Sequence, residues 1–268
     1  MADKFTLVRA PLNMETCKYA FFPGCCLCAN EPEIVAKTYD ALLFQNSATA
    51  IFIQCCDDVE EIRQKWNDLG QPEMIMCCQE CREVFTDKLP EIPVASLYDK
   101  FIEYEISGGC NSVDYCLHQS VPGYAADNIS DNSVACLAED MGVTLHPYED
   151  NSAYPYLVSD INVRNRIKNE GHDAAHIMEL MFGMGASNTH LIHEHEHGDE
   201  PSDSECSSET ECSGNAKADP LECNGNCSEC AGCHDKPHPP QPLPDDAQKE
   251  ANRLELKEVL LALYWNEL

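Results

Sequence analysis

The chain has 268 residues, 18 cysteines and a formal net charge of −30, a balance that argues against nucleic acid as a direct partner, because affinity for a phosphate backbone rests on a basic patch. The longest apolar runs, "ATAIFI" and "VLLALYW", fall far short of the ~20 residues that span a bilayer, and no basic segment leads into an apolar run at the N-terminus; the expectation is a cytoplasmic protein without a membrane span. In that compartment the thiols read as metal ligands or redox groups, not as a disulfide framework.

In chain order, residues 18–24 ("KYAFFPG") read as a short buried strand stopped by Pro-Gly, followed at once by Cys25, Cys26 and Cys28. "EPEIVAKTYDALLFQ" carries apolar residues at helical spacing. "SATAIFIQ" (47–54) is a second strand and delivers Cys55 and Cys56 at its C-terminal end. "DDVEEIRQKWNDLG" reads as a helix with acids in its first turn and Gly70 after its last. "EMIM" is a third strand, again ending on cysteines (Cys77, Cys78, Cys81), and "ECREVFTDKL" starts the next helix. Strands alternating with helices predict an α/β fold with parallel strands. The carboxyl ends of such strands share one edge of the sheet, so the three thiol groups are expected to converge there.

A second, weaker round follows: "SVDYCLHQSV" as strand and loop, "NSVACLAEDMG" as helix, "VTLHPYE" as strand, and "INVRNRIKNEGHDAAHIMELMFGMG" as one long or two broken helices. Its cysteines Cys110, Cys116 and Cys136 stand alone, so this half is expected to be a degenerate repeat. His118 is read first as a surface or hydrogen-bonded residue. His172 and His176, one helical turn apart, form a weak candidate pair of ligands.

From about residue 186 the chain turns to Gly, Ser, Pro and acids, a composition that cannot bury a core and is expected to be disordered without metal. His190, His193, His195 and His197 alternate there with acids, which suits zinc or nickel. Cys223, Cys227, Cys230, Cys233 and His234 are enough for a closed tetrahedral site, and an incidental low-complexity linker is the alternative. Residues 246–268 close the chain as an amphipathic helix. Its Leu256, Val259, Leu260, Leu263 and Trp265 are expected to dock on the body or on a partner. The expected division is therefore 1–106, 107–185, 186–245 and 246–268.

Thiolates are soft ligands that select iron–sulfur clusters, zinc or cuprous copper. Five thiols at one sheet edge suit a cluster; structural zinc, a redox Cys78-x-x-Cys81 at a helix start, and unligated buried cysteines stay open. Cys26, Cys28 and Cys77 are surplus: alternative ligands, a pair exchanging with a substrate disulfide, or buried groups.

"YAFFPGC", "IQCCDD" and "CQEC" together resemble the cysteine-rich CCG domain of the heterodisulfide reductases and of related redox enzymes, in which Pro-Gly-Cys, Cys-Cys-Gly and Cys-x-x-Cys follow successive strands. The resemblance covers roughly residues 17–185, with its motifs in 21–81. It departs at Asp57, which stands where the family has glycine, at a short interval before Cys-x-x-Cys, and in the second unit, which lacks the ligands. It implies that Cys25, Cys55, Cys56, Cys78 and Cys81 bind a 4Fe-4S-type cluster, cubane or non-cubane. It also implies an oxidoreductase component, heterodisulfide reductase-like, that relays electrons or reduces a disulfide in a complex with other redox subunits. No G-x-G-x-x-G occurs, so a flavin or nicotinamide belongs to another chain of such a complex. The other function class is a non-catalytic metal-handling protein that uses the His/Cys-rich tail.

Overall fold

The computed structural model describes residues 5–106, 108–109, 114–118, 129–148, 152–183 and 243–266. It is an α/β structure built on two sheets. The first contains β1 (Leu7–Arg9), β2 (Tyr19–Phe22), β3 (Thr49–Ile53), β4 (Glu73–Met76) and β5 (Val94–Ser96), in the spatial order β1-β3-β2-β4-β5. All pairings are parallel except that of β1, which lies antiparallel on β3 with Leu7 opposite Ile53. β2 and β3 are buried at every position, as unbroken apolar runs are when helices cover both faces of a parallel sheet. Helices α1 (Cys25–Asn30), α2 (Pro32–Gln45), α3 (Val59–Asp68), α4 (Gln79–Lys88) and α5 (Leu97–Glu103) follow the strands.

The second sheet contains β6 (Tyr115–Leu117), β7 (Leu145–His146), β8 (Tyr156–Val158) and β9 (Ala174–His176), all parallel, in the order β7-β6-β8-β9. Helices α6 (Ile129–Asp140), α7 (Ile161–Asn169) and α8 (Ile177–Met181) accompany it, and α9 (Asp246–Trp265) closes the described chain. Counted from β2 and from β6, the four parallel strands of each half share one order, second-first-third-fourth. The registers then match residue to residue. Ala20 faces Met74 and Met76 faces Ser96 in the first sheet; Cys116 faces Tyr156 and Val158 faces His176 in the second. Met76 therefore corresponds to Val158, and the internal repeat is visible in the topology.

The two sheets do not have separate interiors. One apolar layer runs from Ile34 and Tyr39 through Leu97 and Phe101 to Leu137 and Ile177, and it takes in Leu256 and Leu260 of α9. Tyr98 Oη donates to Ser159 O at 2.6 Å. The guanidinium of Arg164, on α7, is buried between Glu31, at 2.5 Å, and Glu179. Asn165 Nδ2 reaches Asn30 Oδ1 at 2.9 Å. These bonds fix the second half on the α1–α2 junction.

The segment 161–185 departs from the helical expectation. Gly171, at φ 88°, ends α7, and residues 174–176 form β9 before α8 begins. A three-residue strand is too short to show a period of two, so the helical residues on either side mask it. His172 and His176 consequently do not share a helix face: His172 precedes β9, while His176 is its last residue and caps α8. Strands β1, β5 and β8, of three residues each, carry equally little periodic signal.

Helix α9 packs on α1 and α2. Asn252, Leu256 and Leu260 recur every four residues on its buried face, with Trp265 at its end. Asn252 Nδ2 donates to Ala29 O at 2.7 Å, Trp265 Nε1 to Ala10 O at 2.8 Å, and the Trp265 ring stacks on Tyr39. The apolar helix thus covers the body of its own chain; Val259 is half-buried, and Leu263 is left 64% exposed. Among the described residues no helix is long and apolar enough to cross a membrane.

Candidate functional site

Three strands of the first sheet end in adjacent cysteines, and their ends share one edge. Cys25 and Cys26 open α1 directly after the Pro-Gly that follows β2. Cys55 and Cys56 follow β3 by one residue. Cys77 and Cys78 follow β4, with Cys78 as the N-cap of α4 and Cys81 in its first turn. Parallel pairing of β2 with both β3 and β4 is what makes these ends neighbours.

Gly24 brings the first strand onto the third. Its backbone lies at φ 81° and ψ 150°, a region essentially reserved for glycine. A Cβ placed on it would stand 3.1 Å from Cys78 Cβ, 3.4 Å from Cys81 Sγ and 3.7 Å from Cys78 Sγ. Pro-Gly therefore stops the strand and also lets the backbone pass against the thiols.

The thiols, all free, hydrogen-bond one another. The Cys81 thiol is shared with Cys56 and Cys78, which raises its pKa and lowers that of Cys56 to about 7. The Cys25 thiol bonds Cys26; its own pKa rises while that of Cys26 falls to about 6, with Asn162 assisting. Burial pushes Cys55 up, and the neighbouring Asp57 carboxylate, at 3.5 Å from its sulfur, adds to this. The helix starts at Cys25 and Cys78 place partial positive charge at these strand ends, in a site whose nearby charged side chains include Asp57, Glu80 and Asp160.

The surplus cysteines divide. Cys28 is wholly buried, and burial holds its thiol protonated, so it serves as a small apolar group of the core. Cys77, also raised by burial, donates to Pro23 O at 3.4 Å. Cys26 alone joins the sulfur group. The motifs leave it among the surplus residues, although the repetition of adjacent pairs at 25–26, 55–56 and 77–78 is a signal for it.

Cys26, Cys77 and Cys78 also line a cavity of about 10 Å³ together with Ser159, Asp160 and His176, room for one water at most. In the register of the repeat, Ser159, Asp160 and Val163 occupy the places of Cys77, Cys78 and Cys81. Asp160 is a functioning N-cap whose carboxylate accepts from Asn162 N at 2.7 Å and Val163 N at 3.3 Å, while Cys78 makes no capping bond. His176 accepts from Met178 N at Nδ1, which leaves Nε2–H to donate to Ser159 O at 3.1 Å; burial first, then Arg164, lowers its pKa to about 3, so the ring is neutral. The His118 ring lies edge-on to Tyr148 and Tyr156, and His172 lies edge-on to Tyr156.

Among the described residues no three His, Cys, Asp or Glu side chains are grouped for a single metal ion. Thiolates are donors to structural zinc and to iron–sulfur clusters alike. The tail candidates His193, His195, His197, Cys223, Cys227, Cys230, Cys233 and His234 lie outside the described residues. Comparison with protein-family models, with curated proteins and with solved structures finds no match.

Proposed function

We propose that this chain is an iron–sulfur redox protein, one component of a larger oxidoreductase, in which Cys25, Cys55, Cys56, Cys78 and Cys81 hold one cluster of the 4Fe-4S type, cubane or non-cubane. The observation that carries the reading is the meeting of three strand ends at one edge, with Gly24 cleared of a Cβ so that Cys78 and Cys81 can lie against it. Donor chemistry supports it: the donors are thiols, the Cys56 pKa is lowered to about 7, and two of the positions are helix starts. When bound, such a cluster supplies one-electron transfer.

The chain's own residues do the rest. The α1 and α4 starts offset the negative charge of the thiolates, the buried Cys28 and the half-buried Cys77 keep the layer beneath apolar, and Asp160 with α7 walls one side. The second half binds no cluster, because a cap carboxylate and a valine stand where ligands would be needed. Electrons come from and pass to partner subunits, or to a disulfide substrate.

Iron, acid-labile sulfide and zinc are to be measured on anaerobically purified full-length protein. The expected result is about four irons with matching sulfide and a brown absorbance, lost in Cys55→Ser and Cys78→Ser and kept when Cys223, Cys227, Cys230 and Cys233 are replaced together. Zinc without sulfide would overturn the redox assignment and leave a metal-handling protein.

A further inference from the structure

Gln54 is the last residue before the Cys55–Cys56 pair, and it is 2% exposed. Along β3, Ala50 and Phe52 face the layer built on Ile62, Trp66 and Phe85, while Ile51 and Ile53 face the other. Alternation carries Gln54 to the first of these layers, and its contact with Lys65 of α3 agrees with that placement. Cys56, Cys78 and Cys81 border the same layer. Lys65 Nζ donates to Gln54 Oε1 at 3.3 Å and to Glu61 at 2.5 Å. An ammonium has only donors, so it fixes which end of the amide is oxygen and turns the NH₂ away from itself. That nitrogen, Nε2, is buried and meets no acceptor among the described residues. A buried amide donor is ordinarily satisfied. Ser96 Oγ, at the end of β5, is also buried without a partner, but a hydroxyl rotates and so points to no particular acceptor.

We infer that Gln54 is a positioning and tuning residue whose Nε2–H donates to a sulfur of the centre proposed above, an inference that rests on that proposal. Thiolates are acceptors, Cys55 and Cys56 follow Gln54 directly at the strand end, and a cluster held there would add sulfides of the same kind. A hydrogen bond to sulfur offsets the negative charge added on reduction, so it raises the reduction potential of the cluster. Lys65, hydrogen-bonded in turn to Glu61, orients the amide.

The test uses the full-length, cluster-loaded protein labelled with ¹⁵N in its glutamine side-chain amides. The reduced cluster is expected to show a weak ¹⁵N coupling together with a proton coupling that disappears in D₂O. Gln54→Met should retain iron and sulfide, lose both couplings and titrate at a more negative potential. The couplings should survive in Gln79→Met, whose native amide is already bonded to Glu83. That control decides the matter if Gln54→Met fails to load: survival supports Gln54 and loss overturns it. A loaded wild-type protein without either coupling, or a loaded Gln54→Met variant with unchanged potential, overturns the inference and leaves the cluster assignment standing. A wild-type protein without sulfide overturns the assignment itself.

Discussion

Replacing Gly24 by alanine separates the backbone demand of the Pro-Gly turn from the demand of the thiols. At φ 81° and ψ 150°, any residue with a Cβ pays about 1–3 kcal/mol for the conformation alone. The added carbon also meets Cys78 Cβ at 3.1 Å, and because that atom is fixed to the N-cap of α4, it cannot swing aside as the end of a long side chain can. Cys78 must therefore move by a few tenths of an ångström, and Cys81 and Cys56, which share hydrogen bonds with it in sequence, move too. Gly171 provides the control. It has φ 88° with nothing within 4 Å of its would-be Cβ, so Gly171→Ala carries a left-handed cost of about 1–2 kcal/mol and no contact with the thiols. Urea unfolding of the metal-free proteins should show both variants folded, with Gly24→Ala the more destabilised. Anaerobic reconstitution should then load iron and sulfide normally into Gly171→Ala and lose most of both in Gly24→Ala. Equal loading of the two variants would refute the argument that Gly24 is there to clear the cysteines.

Three further outcomes are expected. The neutral His176 ring, with a folded pKa of about 3 against 6.5 in the unfolded chain, gives stability that is whole above pH 6.5 and is lost as the pH falls; unfolding free energy should drop by about 1.4 kcal/mol per unit below 6.5, and His176→Asn should flatten the slope between pH 6.5 and 5. Removing the buried Arg164 strands two half-buried carboxylates, so Arg164→Met should cost about 3 kcal/mol in urea unfolding, and a loss under 1 kcal/mol would show that the second half is held on by packing alone. In α9, Leu260→Ala should cost about 2–5 kcal/mol and Leu263→Ala less than about 0.5; equal losses would mean that the helix does not present the face described.

The sequence reveals the parts of this fold whose signals are long or chemically marked. β2, β3 and β4 are readable because three or four consecutive apolar residues lead to cysteines, and α3 and α9 because polar residues bracket a periodic run. β1, β5, β8 and β9 are not, since three residues cannot display alternation and their identity as strands comes from pairing across the sheet. The convergence of Cys25, Cys55, Cys56, Cys78 and Cys81 follows from strand order alone. The division of labour among Cys26, Cys28 and Cys77 does not, because it depends on how deeply each is buried and what each thiol meets once α1 has formed directly at Cys25. Gln54 carries no signal as a residue type; it becomes informative only when Lys65 is seen to hold one end of its amide and nothing the other.

The two halves show what a cysteine costs a helix start. At equivalent positions, Asp160 satisfies two free backbone N–H groups at the start of α7, a bond set worth about 0.5–2 kcal/mol, while Cys78 leaves the same groups of α4 without a side-chain cap. A thiol is a weak acceptor, so a cysteine at an N-cap is a poor choice for stability and a good one only where its sulfur is needed elsewhere. In the first half that sulfur turns to Cys81, beside Gly24. In the second half the cap has regained its carboxylate, the position of Cys81 has become Val163, packed beside Cys116, Tyr156 and Ile167, and the helix start has become a wall beside Cys26, Cys77 and Cys78. The same topology has thus been pulled in two directions, one half keeping a costly arrangement of sulfur and the other exchanging it for the ordinary stabilisation of a helix. The first arrangement is the one that the proposed ligand role of Cys78 asks for.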